Sequence, residues 1–370
     1  MLVCILILVF SLSGLSTVVA SGEELRVILV TDIGGLGDKG FNDGGWLGVQ
    51  MAEKKLGVKG NVIQSFQQTD FIPNLTTAAR QADVVVALGF LMVDAISEVA
   101  ARFPDVNFVL VDSVAEDLPN LASYEIRAGQ GSYLAGIVAA ATTTTGRVGM
   151  VEPMSIPPVI AFTAGLGTGI KTWNELTGSQ VELVVKDAGA FNDPARGKAL
   201  ALSMIGQNVD IMMSGANTGL GVFQAVKEKN EEAGIAIEAI ADGTPPQFLG
   251  IGLDLDQDDI YPGMMLTSAL KNVPEVIFGA IKDVQDGTFK GGSHAVGIQE
   301  NATGITDMRY TKNFVPDKAL AIVDKAIELM RAGNKELEIP LAVDNAQEFI
   351  ESFTVPQELY SVVKDRKSVV

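Results

Sequence analysis

Three aspartates stand at the ends of apolar runs: Asp32 after VILVT, Asp112 after FVLV and Asp254 after LGIGL. A carboxylate at a strand end accepts hydrogen bonds from a ring N–H, an amino group or a pair of sugar hydroxyls. Any one of them alone serves equally well to start a turn. Beside them, Phe-Asn-Asp occurs twice, at 41–43 in KGFNDGGWLG and at 191–193 in GAFNDPARGK. Each copy follows a strand-like run and opens a helical one, where Asn or Asp caps exposed N–H groups and Pro194 suits the first turn. Capping needs no aromatic ring. A Phe in a loop at the carboxyl end of a parallel strand points into the crevice where α/β proteins bind ligands. One such Phe per lobe, Phe41 and Phe191, would bring two aromatic faces onto a flat π-system, each contact contributing about 1 to 3 kcal/mol.

Other constellations fail on inspection. GLGDKG matches G-x-G-x-x-G at Gly35, Gly37 and Gly40, yet the ribose-binding acid due ~20 residues on is absent, because position 60 is Gly. Asp32 and Asp38 would also set negative charge where a pyrophosphate should sit. DLDQDD at 254–259 begins like a calcium loop but has Asp259 at its sixth position and Met265 at its twelfth. His294 is the only histidine, so a His-based triad or metal site lacks partners, and it reads as a lone surface residue. No cofactor and no metal are expected. SGANTGLG at 214–221, with Gly215, follows one run and precedes a helix; its N–H groups either serve a ligand hydroxyl or close a turn.

The elements that carry these residues alternate. RVILVT, NVIQSF, DVVVAL and NFVLVD read as strands of a first set, with helical spacing over 44–56, 73–81 and 93–103. After the long helix GQGSYLAGIVAAATTTT the rhythm restarts with RVGMV, QVELVV, DIMMS, IAIEAIA (235–241) and FLGIGLD. Continuous apolar strands separated by helices predict an α/β fold of two Rossmann-like lobes, each a parallel sheet covered on both faces. Short crossovers at 123–127, 252–256 and 297–300 predict a multi-strand hinge. The lobes are then 24–125 with 256–297, and 126–255 with 298–370. One amphipathic helix, 318–332, stops at Gly333.

Composition agrees with two cores, since 370 residues exceed the roughly 250 to 300 at which single cores stop growing. The net charge of -18, from 27 basic and 45 acidic residues, argues against a nucleic-acid partner. MLVCILILVFSLSGLSTVVA reads as a signal peptide over 1–20, its apolar part shorter than the ~20 residues of a spanning helix. No Lys or Arg precedes that run, which leaves room for an upstream start. Cys4, the only cysteine, lies within it, so the exported chain would carry no thiol and no disulfide.

TDIGGLGDKGFND, GQGSYLAGIVAA, AFNDPARGK, GLDLDQDD and PGMMLTSALKNV together resemble the basic membrane protein family of solute-binding proteins, over essentially the whole exported chain. The resemblance implies a type I periplasmic-binding fold that closes on a purine nucleoside (guanosine, inosine or adenosine) and passes it to a membrane ABC permease. By that likeness Phe41 and Phe191 sandwich the purine, and Asp32, Asn42 and Asp112 address base edges or hydroxyls. Asp254 and Lys271 hold the ribose; on residue type alone Lys271 reads as a solvated helix start. Gly40 and the SGANTG loop depart from the usual family pattern, as does the absence of a lipobox. The expectation is a non-enzymatic monomer, exported to the periplasm or cell surface, with membrane association left open. A receptor for a sugar or another aromatic-containing solute is the alternative, ahead of an NAD-dependent or nucleoside-hydrolysing enzyme.

Overall fold

The computed structural model describes residues 24–237, 240 and 243–364; the expected signal segment lies outside them. Two six-stranded sheets organise the chain. The first holds β1 (Arg26–Val30), β2 (Lys59–Ile63), β3 (Val84–Leu88), β4 (Asn107–Val111), β5 (Leu121–Ile126) and β11 (Gly292–Val296). The second holds β6 (Arg147–Glu152), β7 (Glu182–Asp187), β8 (Ile211–Met213), β9 (Leu249–Asp254), β10 (Met265–Lys271) and β12 (Thr303–Ile305). Strand order is β2-β1-β3-β4-β5-β11 in one lobe and β7-β6-β8-β9-β10-β12 in the other. All the pairings are parallel except β10 with β12.

Each sheet is buried on both faces, which is why its central strands read as unbroken apolar runs. In lobe one, α1 (Phe41–Leu56) and the helix Val273–Gln285 cover one face, while α2 (Phe71–Ala79) and α3 (Val93–Arg102) cover the other. In lobe two, α4 (Ala128–Thr142), α5 (Pro157–Thr177) and the helix Asp317–Arg331 back one face. There α6 (Pro194–Ile205) and α7 (Ala216–Glu232) back the other. α4 is apolar all round because it is buried all round. A Cβ on Gly136 would stand 2.3 Å from the Leu166 carbonyl oxygen of α5, so only glycine admits that approach.

Two expectations shift. Of the run 235–241, expected as a strand, the described residues Ile237 and Ile240 are helical, and the Ile240 N–H donates to the Ala236 carbonyl at 3.3 Å. Three residues apart, those isoleucines share one helical face and pack into the core under α6 and α7. The crossover expected at 252–256 lies instead at Asn272. Residues 265–271 pair with β9 as β10, so 256–271 belong to lobe two, and the chain returns to lobe one only with the helix Val273–Gln285. The other two crossovers fall after β5 and after β11, as the spacing predicts.

Candidate functional site

Both sheets have the switch point of a doubly wound fold between their second and third strands in spatial order, β1/β3 and β6/β8. Ligand crevices open there, at the carboxyl ends. The cleft between the lobes holds a pocket. Asp32, Phe41, Asn42 and Asp112 line it from lobe one; Phe191, Gly215, Asp254 and Lys271 line it from lobe two. All eight residues singled out from the sequence therefore meet in one cavity.

The two lobes contribute matching aspartates. Asp112 follows β4 and Asp254 ends β9, the fourth strands of their sheets in spatial order, and both adopt left-handed backbone, φ 76° and 72°. Non-glycine residues rarely take that conformation, although Asp and Asn do so more readily than others. Lys271, the last residue of β10, reaches between them, with Nζ 2.6 Å from Asp112 Oδ2 and 3.8 Å from Asp254 Oδ1. Its ammonium also lies 5.3 Å from the Phe41 ring centroid and 4.7 Å from that of Phe162. Far from a solvated helix start, Lys271 is 3% exposed.

Asn42 behaves differently from the expectation that it addresses a base. Its Nδ2 donates to Asp32 Oδ1 at 2.8 Å and to Asp38 Oδ2 at 3.2 Å, and its Oδ1 accepts the Asp32 N–H at 3.2 Å. Both amide hydrogens are thus committed within lobe one. What Asn42 does is orient Asp32. Asp32 Oδ1 also accepts the Gly34 N–H at 2.8 Å, while its Oδ2 accepts no hydrogen bond among the described residues. A Cβ on Gly89 would lie 3.4 Å from that oxygen and from Phe41 Cε1, so Gly89 keeps the wall thin where carboxylate and ring adjoin.

The Phe-Asn-Asp copies are not equivalent in the fold. Phe41 opens α1 after β1, an inner strand, whereas Phe191 lies in the turn between β7, an edge strand, and α6. In the second copy Asp193 caps its helix through the Arg196 N–H at 2.9 Å. In the first the cap comes from Asp38, which accepts the N–H groups of Gly40, Asn42 and Asp43. The turn carrying Phe191 is pinned by Thr218 of α7, whose N–H donates to the Phe191 carbonyl at 3.1 Å and whose hydroxyl donates to Ala190.

Four carboxylates line this pocket against one cation, and burial dominates their titration. Burial raises Asp254 to about 7, with Lys271 pulling the other way and the neighbouring aspartates adding to the rise. Burial likewise lifts Asp32 to about 6, opposed by the hydrogen bonds from Asn42 and Gly34. Asp112 and Asp38 are raised for the same reason, the first opposed by Lys271 and the second by backbone N–H donors.

Sequence reasoning missed Asp38 and Phe162. Asp38 is fully buried yet looked like a defect in a phosphate loop, and Phe162 lies inside a helix that reads as core. Pro153, Ile156, Pro158 and Val159 complete an apolar wall with Phe162. The wall is set by Glu152, whose carboxylate accepts from Ser155 and Thr163, each at 2.5 Å.

The remaining motifs are engaged within the protein. N–H groups of the glycine loop are taken internally: Leu36 donates to Gln64, Gly37 and Lys39 to Asp43, and Gly40 to Asp38. No row of free donors is left for a pyrophosphate. In DLDQDD, Asp256 and Asp259 pair with Arg309, and Asp258 accepts from Thr306 and the Arg309 N–H. His294 lies on the edge strand β11, stacked on Tyr124 with centroids 4.9 Å apart. Among the described residues no His, Cys, Asp and Glu cluster could hold a metal ion, and no helix is long and apolar enough to cross a membrane.

Comparison with known proteins agrees with this architecture. The chain is 32% identical over 300 residues to an uncharacterized lipoprotein of Pyrococcus horikoshii, covering 79% of this chain and 71% of that one. It is 30% identical over 276 residues to the ABC transporter nucleoside-binding protein BmpA of Lactococcus lactis, covering 73% and 78%. Among solved structures, an ABC transporter solute-binding protein of Aeropyrum pernix K1 superposes with a TM-score of 0.78 at 28% identity, over 92% of this chain and 98% of that one. Residues 25–340 match the Bmp family model, described as ABC transporter substrate-binding protein PnrA-like. With a type I periplasmic-binding fold and a match over most of its length, the chain belongs to the Bmp family of ABC transporter substrate-binding proteins.

Proposed function

We propose that the protein is exported, captures a purine nucleoside between its lobes and delivers it, chemically unaltered, to a membrane permease. The observation that carries this reading is one pocket lined by Phe41 from lobe one and Phe191 from lobe two, with buried carboxylates and Lys271 beside them. Two rings on separate lobes suit a flat base, while Asp112, Asp254 and Lys271 offer paired acceptors and a donor for vicinal hydroxyls. Asp32 Oδ2, with no hydrogen-bond partner among the described residues, suits a base N–H. The nucleoside-binding relative from Lactococcus lactis supports the same class. Hydrolysis would need an acid and a nucleophile aligned on a glycosidic bond; Asp112 is paired with Lys271, and Asp38 and one oxygen of Asp32 are held by Asn42 and backbone N–H groups.

Mass spectrometry of ligand released from denatured protein, followed by calorimetry with guanosine, inosine, adenosine and ribose, tests the proposal. Binding of nucleosides that far exceeds ribose supports it. Tight binding of ribose alone, undiminished in Phe41→Ala, or release of free base from nucleoside, overturns it.

A further inference from the structure

Two motifs, SGANTGLG and DLDQDD, have no part in lining the pocket beyond Gly215, Ala216 and Asp254. Each nevertheless sends one amide across the cleft. Asn217, near the start of α7 in lobe two, donates from Nδ2 to the Gly34 carbonyl of lobe one at 3.0 Å. Gln257, in the turn after β9, donates from Nε2 to the Lys39 carbonyl at 2.8 Å. Those carbonyls bracket the glycine-rich loop, one near each end.

Gln257 and the loop it meets are each held by hydrogen bonds within their own lobe. Gln257 is 2% exposed; its Oε1 accepts the Leu253 N–H at 3.3 Å, and its own N–H donates to Ser268 Oγ at 3.0 Å. A Cβ on Gly252 would stand 2.4 Å from Gln257 Oε1, so glycine leaves the space in which that amide lies. On lobe one, the loop is fixed by the acceptors Asp38, Asp43 and Gln64, and Lys39 holds left-handed backbone at φ 54°. Gly40 beside it allows the lobes to close up: a Cβ there would come within 3.3 Å of Asp254 Oδ2.

Donor and acceptor belong to different lobes, so both hydrogen bonds exist only when the cleft is closed. Neither Asn217 nor Gln257 lines the pocket. We infer that Asn217 and Gln257 form a two-point latch on the glycine-rich loop, which holds the closed form and thereby sets how long a ligand is retained. The effect on retention rests on the nucleoside reading; the effect on closure does not. Apparent affinity scales with the fraction of protein in the binding-competent state, so residues remote from the ligand can govern it. Loss of one such bond is expected to speed ligand release about three- to tenfold, the range that a net hydrogen-bond contribution implies.

The test uses the whole chain with Asn217→Ala, Gln257→Glu and the pair combined. Glu at 257 keeps the acceptor for the Leu253 N–H and, ionised at pH 8, lacks the donor to Lys39; melting curves check folding. The expected result is guanosine dissociation faster by about three- to tenfold in each single variant and by about the product in the pair, with association little changed. Unchanged dissociation in all three overturns the latch. Should none of guanosine, inosine and adenosine bind the unaltered chain, the nucleoside reading falls while the latch is judged by small-angle scattering without ligand. There the unaltered chain scatters as the closed form and the paired variant as a more open one; identical profiles overturn it.

Discussion

Lys271 Nζ lies 2.6 Å from Asp112 Oδ2, an ion pair between the last residue of β10 and the residue that follows β4 in the other lobe. Their side chains are 4% and 11% exposed, so the pair is almost wholly desolvated. Removing one partner of such a pair leaves a buried charge uncompensated, which typically costs about 3 to 5 kcal/mol.

Lys271→Met is accordingly expected to lower the melting temperature, and to lower it more at pH 8 than at pH 5, where the aspartates can take up protons instead. Guanosine affinity should fall by at least about a hundredfold, the equivalent of ~2.7 kcal/mol. Differential scanning fluorimetry at both pH values, with calorimetry, reads both effects. Equal destabilisation at the two pH values would show that Lys271 is not balancing the carboxylates.

Stability and affinity should respond to pH in opposite directions. Asp32 and Asp254 titrate near 6 and near 7 in the folded chain, against 3.8 for a free side chain. The native state therefore binds more protons than the unfolded state between those limits, and stability without ligand falls as pH rises from about 4 through 7. A nucleoside donating to ionised carboxylates binds more tightly over the same rise. Melting temperatures without ligand and dissociation constants from pH 5 to 8 measure the two trends; parallel trends would refute this assignment of charge.

Phe41→Ala and Phe191→Ala should each weaken guanosine binding by about 1 to 3 kcal/mol while leaving any ribose binding unchanged. Titration of both ligands into both variants separates base stacking from a general loss of pocket shape. A loss shared equally by ribose would mean the rings shape the cleft without stacking on a base.

Lys171 offers a control remote from the cleft. Its ammonium donates to the carbonyls of Ile350, Glu351 and Phe353 at 3.0, 3.0 and 2.7 Å, closing the C-terminal end of the helix Ala346–Ser352 onto α5. Lys171→Met should cost about 1 to 3 kcal/mol and speed amide exchange over 346–353, with ligand affinity untouched. Exchange mass spectrometry locates the change.

Legibility followed burial pattern. β1, β3, β4 and β9 were readable because a strand covered on both faces is apolar at every position. The run 235–241 misled because Ile235 and Ile237 alternate as on a strand, while Ile237 and Ile240 sit at the three-residue spacing of a helical face. Residues 265–271 were not read as a strand and were placed with lobe one, because membership of the second sheet depends on pairing with β9, a contact that leaves no local mark. In the site, Asp32, Asp112 and Asp254 were legible from strand-end position and both Phe residues from their repeat. Lys271 needed the family likeness, since a lysine just before a helical run ordinarily reads as solvated. Phe162 and Asp38 stayed hidden because burial in a shared pocket arises only when two lobes meet.

The latch acceptors are main-chain carbonyls, and this bears on how such a receptor can diverge. Every residue type supplies a carbonyl, so lobe one contributes to closure through loop shape alone, while lobe two carries the two amides that must persist. Position 39 should therefore accept Gly or Asn, which tolerate its left-handed backbone, without loosening closure. The pocket wall can then be redrawn for another solute without altering the donors that shut the shell, because neither Asn217 nor Gln257 lines the space it encloses.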